Sequence, residues 1–151
     1  MTRSAMSGGA AALLLLAAAT AATPATPANA ATEVKGAAIL DHPCGKLTVK
    51  HMGLVHDGKM EEAVKLATPE MQAEWKAMAA EEREMVAGMM KELSVTGDVH
   101  AEEIRKHGVL AVEGEDATLT LTKEEKDQSA NSVSTLTQKF KVKSGSCAIS
   151  H

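Results

Sequence analysis

Two cysteines, six histidines and nine methionines are the residues of this 151-residue chain whose side chains could ligate a soft metal, move a proton or form a thiol bond. Thioether sulfur suits Cu(I) and imidazole suits several ions, so convergence decides whether any of them form a site. Met52 and His56 stand four apart and share a face if their segment is helical, whereas His51 and His56, five apart, diverge. Two ligands do not make a site. His42 and Cys44 could chelate only with Cys44 reduced. Met71, Met78, Met85 and Met89 recur at helical spacing, which is equally the pattern of a core stripe in a chain with one Trp, one Phe and no Tyr. Acid–base chemistry has its candidates in Asp98, His100 and His107, because imidazole is the most versatile general base near neutral pH. On a continuous strand residues 100 and 107 have opposite parity and do not converge, and solvated edge residues are the competing interpretation.

The chain opens MTRSAMSGGAAALLLLAAATAATPATPANA, with Arg3, an apolar run from about Ala10 to Ala22, and then small residues and two prolines. This is the pattern of a secretory signal peptide. The run is too short to span roughly 30 Å of hydrocarbon as a helix, and Ala28-Asn29-Ala30 supplies a small-x-small cleavage signal. Cleavage is expected after Ala30, with an uncleaved anchor as the other outcome. No cysteine lies near that point to take a lipid, so the mature chain of residues 31–151 is expected to be a single soluble domain, periplasmic or secreted.

Loss of Arg3 shifts the formal charge from −4 to −5. That balance disfavours nucleic acid and anionic membrane as partners, and the scarcity of aromatic residues removes stacking platforms for bases. In an oxidising compartment two cysteines of a small domain are expected to pair.

The elements that must position these residues are read from periodicity. Residues 31–45 have no clear period, and His42-Pro43-Cys44-Gly45 reads as a turn. KLTVKHMGLVHDG then predicts a helix with Leu47, His51, Leu54 and Val55 on one side, closed by Asp57-Gly58. KMEEAVKLA predicts a second, short helix. Thr68-Pro69-Glu70 starts a third with an N-cap, a proline at the first position and an acid in the first turn. Its stripe of Met71, Trp75, Met78, Met85, Met89 and Leu93 predicts one long helix, with a kink at Ala79-Ala80 or Gly88, ending near Thr96-Gly97-Asp98.

After that the period becomes two. A hairpin at Gly114-Glu115 sets Val112 against Ala117 and Leu110 against Leu119. A polar loop, KEEKDQSANS, leads to a strand alternating Leu136, Phe140 and Val142 with lysines. A second hairpin at Ser144-Gly145 sets Val142 against Cys147 and Phe140 against Ile149, turning Cys147 to the apolar face. Helices followed by antiparallel strands give an α+β class.

HDGKMEEAVKLATPEM resembles the segment of the nuclear transport factor 2-like superfamily (the SnoaL and ketosteroid isomerase-like cone) that runs "G-D-x-x-x-A", short helix, "T-P-E". FKVKSGSCAIS resembles that superfamily's closing hairpin, "x-G-x-W-x-I", with Cys147 in place of the usual tryptophan. The likeness covers most of residues 31–151 and is strongest to small exported bacterial members of unassigned activity. It implies a curved antiparallel sheet wrapped around helices, with an apolar cavity lined by residues such as Leu54, Trp75, Met78, Met85, Leu119 and Phe140. It also implies that the first helix lies near the last strand, so that a Cys44–Cys147 bond would tie helix to hairpin. Two buried reduced thiols are the alternative. Catalytic relatives use an acid or base with a polarising Tyr or Asp, and this chain has no tyrosine to supply a phenolic oxyanion donor.

The expectation is therefore an exported α+β module without a cofactor, binding a small apolar ligand or an envelope protein, with a homodimer allowed. The alternatives are a cone enzyme with a His100 or His107 base, and a copper or zinc carrier using Met52 and His56.

Overall fold

The computed structural model describes residues 30–127 and 130–151, so the expected leader lies, up to Asn29, outside the described residues. The protein is α+β: among the described residues there are five α-helices and a five-stranded antiparallel sheet in the order β1-β2-β3-β4-β5. Strand β1 (Thr32–Lys35) and a 3-10 segment (Gly36–Asp41) precede helices α1 (Pro43–His56), α2 (Met60–Val64), α3 (Pro69–Ala77), α4 (Ala80–Leu93) and α5 (Gly97–His107). Strands β2 (Gly108–Glu113), β3 (Asp116–Asp127), β4 (Ala130–Lys143) and β5 (Ser146–Ser150) follow. Among the described residues no helix is long and apolar enough to cross a membrane.

Both hairpin registers follow the alternation. Val112 pairs with Ala117 and Leu110 with Leu119, while Val142 pairs with Cys147 and Phe140 with Ile149. Ser144 and Gly145 both take positive φ, the requirement of the two-residue turn that matches strand twist. One parity of each strand thus faces the helices. Leu110, Ala117, Leu119, Leu121, Phe140 and Ile149 pack there against Ile39, Cys44, Ala67 and Ile104, while the other face of β3 and β4 carries threonines and lysines.

Cys44 is bonded to Cys147. Their Cα atoms lie 5.1 Å apart although 103 positions separate them in sequence, so the first turn of α1 is tied to the last strand. That turn is shaped by its own sequence. Pro43 occupies the first helical position, the His42 ring Nδ1 accepts from the Cys44 N–H at 3.2 Å, and Gly45 lies so close to the Ile39 carbonyl that a Cβ would overlap it.

Five expectations need correction. Residues 31–45 do not form an irregular lead-in: they carry β1, which pairs with β2 from Thr32↔Val112 to Lys35↔Val109, then the 3-10 segment, and α1 begins at Pro43. The long third helix is two helices. Met78 and Ala79 both hold extended ψ values, 148° and 153°, and redirect the chain without a proline.

The α4 part of the stripe, Met85, Met89 and Leu93, is in consequence not core, whereas Trp75 of α3 is buried and Met71 packs against the core cluster. No residue of α4 is buried, and Met85 and Leu93 are 68% and 76% exposed. The layer it was expected to fill is taken by α5, whose Ile104 is fully buried. Thr96-Gly97-Asp98, read as a stop, is the start of α5. The Thr96 hydroxyl accepts from the Val99 N–H at 3.3 Å, with Asp98 in the first turn and Arg105, Lys106 and His107 in the last, where the helix dipole favours them. Finally, KEEKDQSANS is mostly strand: β3 extends to Asp127 and β4 begins at Ala130, with residues 128–129 outside the described set.

Candidate functional site

Between the core face of the sheet and α1, α4 and α5 lies a cleft of about 260 Å³. α1 contributes Thr48, His51, Met52 and Val55, a stripe at i, i+3, i+4, i+7. The C-terminal end of α4 gives Met90 and Leu93, α5 gives His100, and the strands give Leu119, Leu121, Leu136 and Gln138. A second depression of about 290 Å³ shares Met52, Leu93, His100, Leu121 and Leu136 with it and runs on toward Glu103 and Lys123. The two form one elongated groove with apolar walls.

Its polar groups are gathered at the junction of α1 and α5. His100 is only 4% exposed, and its Nε2 shares a hydrogen bond of 3.3 Å with the Thr48 hydroxyl. Burial pushes His100 below the ordinary imidazole value; the Glu103 carboxylate partly opposes this and the Lys123 ammonium reinforces it. His51 is also lowered, first by burial and then by the neighbouring His100. Glu103 is lowered by its contact with Lys123. The groove therefore presents two imidazoles biased toward neutrality beside an ion pair at its rim. A neutral imidazole offers one donor and one acceptor, so this end can orient a polar atom of a bound molecule or take up a proton.

The residues singled out in the sequence are distributed as follows. His100 lines the groove, from a helix and not a strand edge. Asp98 and His107 are exposed at opposite ends of α5 and line neither part of the groove. Met52 lines it, whereas His56, one turn further on, does not, and the His56 Nδ1 is buried without a hydrogen-bond partner. Of the six residues expected to line a cavity, Leu119 lines this one. Phe140 is buried in the core. Trp75 is buried against α2, donating from Nε1 to Glu61 at 3.0 Å beside a separate shallow depression. Leu54 and Met78 are half-buried away from the groove, and Met85 stands on the open face of α4.

Sequence reasoning passed over Thr48, Met90, Leu121, Leu136 and Gln138 as site residues. Thr48 had a readable signal: it continues the His51–Val55 stripe, but an apolar filter discards a threonine.

His42, Cys44 and Cys147 bring one nitrogen and two sulfurs within 4.8 Å of one another. A thiolate is the ligating form of cysteine. Here the two sulfurs are bonded to each other, and the His42 Nδ1 lone pair is used in capping α1. Comparison of the chain with protein-family models, with curated proteins and with solved structures finds no match in any of the three.

Proposed function

We propose that this protein is an exported, non-catalytic binding module that takes a small apolar ligand, or an apolar segment of a partner, into the groove between α1, α4, α5 and the sheet. The observation that carries it is the composition of that groove: Met52, Val55, Met90, Leu93, Leu119, Leu121 and Leu136 form the walls, and Thr48, His51 and His100 form one polar end. Few convergent polar groups in an apolar concavity is the usual make-up of a small-molecule site, and two joined depressions bring the volume into the range of roughly 300–1,000 Å³. The Cys44–Cys147 bond supports an oxidising compartment, in keeping with the leader pattern of residues 1–30. Helices over one face of an antiparallel sheet, with the Thr68-Pro69-Glu70 helix start and the closing hairpin, support kinship with the nuclear transport factor 2-like cone.

Titration with an apolar, environment-sensitive fluorophore such as N-phenyl-1-naphthylamine tests the binding reading. Saturable binding in wild type that Leu121→Trp weakens by about tenfold or more, through filling of the wall, is expected. Absence of saturable binding, or binding indifferent to Leu121→Trp in a protein of unchanged circular dichroism, would overturn it. N-terminal sequencing of the exported protein should begin at or near Ala31.

A second reading has its own observation. A buried imidazole biased toward neutrality and oriented by the Thr48 hydroxyl has the attributes of a general base, so a cone enzyme acting on a small apolar substrate through His100 is the alternative. It requires turnover that is lost in His100→Gln.

A further inference from the structure

A β-sheet has edges, and among the described residues this one protects all of them but one. β1 is four residues long and carries Glu33 and Lys35. The outer edge of β5 is closed by the chain after α2: the Thr68 N–H donates to the Ile149 carbonyl at 2.8 Å and the Ile149 N–H to the Leu66 carbonyl at 3.0 Å. β3 outruns β2 beyond Leu121, and that overhang reads TKEEKD, with Lys123 paired to Glu103 of α5. β4 outruns β5 in the same way, because β5 pairs only with Lys139 to Lys143. Its overhang from Ser132 to Gln138 reads SVSTLTQ, without charge, proline or glycine. Short strands, charges, prolines and covering segments are how sheet edges avoid pairing with other chains. SVSTLTQ has none of these.

The phase of the ladder identifies the open groups. The Val142 N–H donates to the Glu115 carbonyl, so even-numbered residues of β4 direct their backbone toward β3 and odd-numbered ones away from it. In the overhang the outward groups are the N–H and C=O of Val133, Thr135 and Thr137. Residues 132–137 are all exposed, Val133 and Leu136 by 64% and 52%.

We infer that this edge is a self-association surface, and that its occupant is the β4 overhang of a second copy, antiparallel about a two-fold axis at Thr135. The window is symmetric about that residue. Thr135 meets Thr135 of the second copy and Val133 meets Thr137, each an outward-facing pair exchanging two backbone hydrogen bonds, six in all. These are β-branched pairs on one face, with Ser134 opposite Leu136 on the other, and no like charges meet. Pairing stops at Lys139, where Ser150 of β5 already holds the edge. A two-fold normal to the sheet also keeps both helical layers on one side. Leu136 shares the groove with Met90 and Leu93, so the exposed apolar end of α4 in each copy is carried next to the axis and acquires a partner. A continuous ten-stranded sheet results, closed to further growth because its ends are the protected β1 strands.

Two measurements on residues 31–151 test this. Sedimentation equilibrium at micromolar to millimolar concentration should show a reversible dimer. Thr135→Pro removes an N–H that the β3 ladder does not use and should weaken association by about tenfold or more. The double variant Val133→Lys/Thr137→Lys, which sets lysine opposite lysine, should do the same if the proline variant fails to fold. Paired residues of this kind have Cα atoms about 5.5 Å apart, so Thr135→Cys should cross-link to itself with a short bis-maleimide while the native cysteines stay bonded, and Glu113→Cys at the far hairpin should not. A monomer throughout the concentration range, a dimer untouched by both edge variants, or equal cross-linking at the two positions would overturn the inference. Pairing of the edge with a strand of another protein, with the chain monomeric alone, would overturn it as well.

Discussion

Removal of the Cys44–Cys147 bond should cost this domain a large part of its stability. The bond closes a loop spanning 103 positions, for which the chain-entropy relation gives about 4.7 kcal/mol, against roughly 5–15 kcal/mol for the whole stability of a typical domain. Cys44 is fully buried in the main core cluster, so the replacement matters. In Cys44→Ala/Cys147→Ala the loss should be about 4–5 kcal/mol, essentially that of the cross-link. In Cys44→Ser/Cys147→Ser a hydroxyl is buried without an assigned partner, and a further loss of roughly 1–3 kcal/mol is expected. Guanidinium unfolding of both variants and the oxidised wild type, followed by circular dichroism, separates the two contributions. A double-alanine variant within about 1 kcal/mol of wild type would refute the reasoning, since no compensating contact can restore a constraint on the unfolded chain. So would a serine variant as stable as the alanine one.

Three further outcomes follow from the packing and the charges. Gly45→Ala, normally a gain of about 1 kcal/mol within a helix, should instead destabilise by about 3 kcal/mol or more because the new methyl overlaps the Ile39 carbonyl; unfolding midpoints check it. His51 and His100 are held below the ordinary imidazole value of 6.5, so the unfolded chain binds more protons in the window below that value. Their contribution to stability is complete above about pH 6.5 and is lost as pH falls through the folded-state values; urea midpoints from pH 8 to pH 5 should show this, with a shallower fall in His100→Gln. Zn(II) or Cu(I) added to the oxidised protein should leave its melting temperature nearly unchanged, because a ligand of the folded state alone must raise it, whereas a large rise would restore the metal reading.

The strand half of the fold was legible because period-two alternation is unambiguous: Leu110, Val112, Ala117, Leu119, Phe140, Val142, Cys147 and Ile149 all face as their parity demands. The helical half was less so. Met78-Ala79 is a good helix-forming pair that nevertheless sits extended; a kink at Ala79-Ala80 is foreseen, but with no proline or glycine there nothing local announces a full break. α5 failed for the opposite reason. Its Thr96 cap, acidic first turn and basic last turn are all present, but Gly97 next to the cap also carries the signature of a helix stop. Taken as a stop, it moves His100 from a buried helix face to a solvated strand edge. The groove was consequently visible only in fragments, Met52 from α1, His100 on a misassigned element and Leu119 from β3, because its other walls come from helices whose limits are hard to place. In β3 and β4, the polar overhangs hid the extension of both strands, since Lys, Glu, Asp and Ser are weak strand formers and hydrogen bonding between the two strands overrides that preference.

α4 holds no residue out of water, yet Met90 and Leu93 at its C-terminal end form part of the groove wall. A segment with so little apolar surface to lose on detaching belongs to the lowest rung of local opening free energies, while α1, fastened by the Cys44 bond, and β3, paired on both sides from Asp116 to Leu121, open only with the whole domain. Amide hydrogens of α4 should therefore exchange orders of magnitude faster than those of α1 and β3. Were the groove to bind as proposed, α4 would be the wall that opens without unfolding the frame, so uptake rate and overall stability would be tunable at different residues.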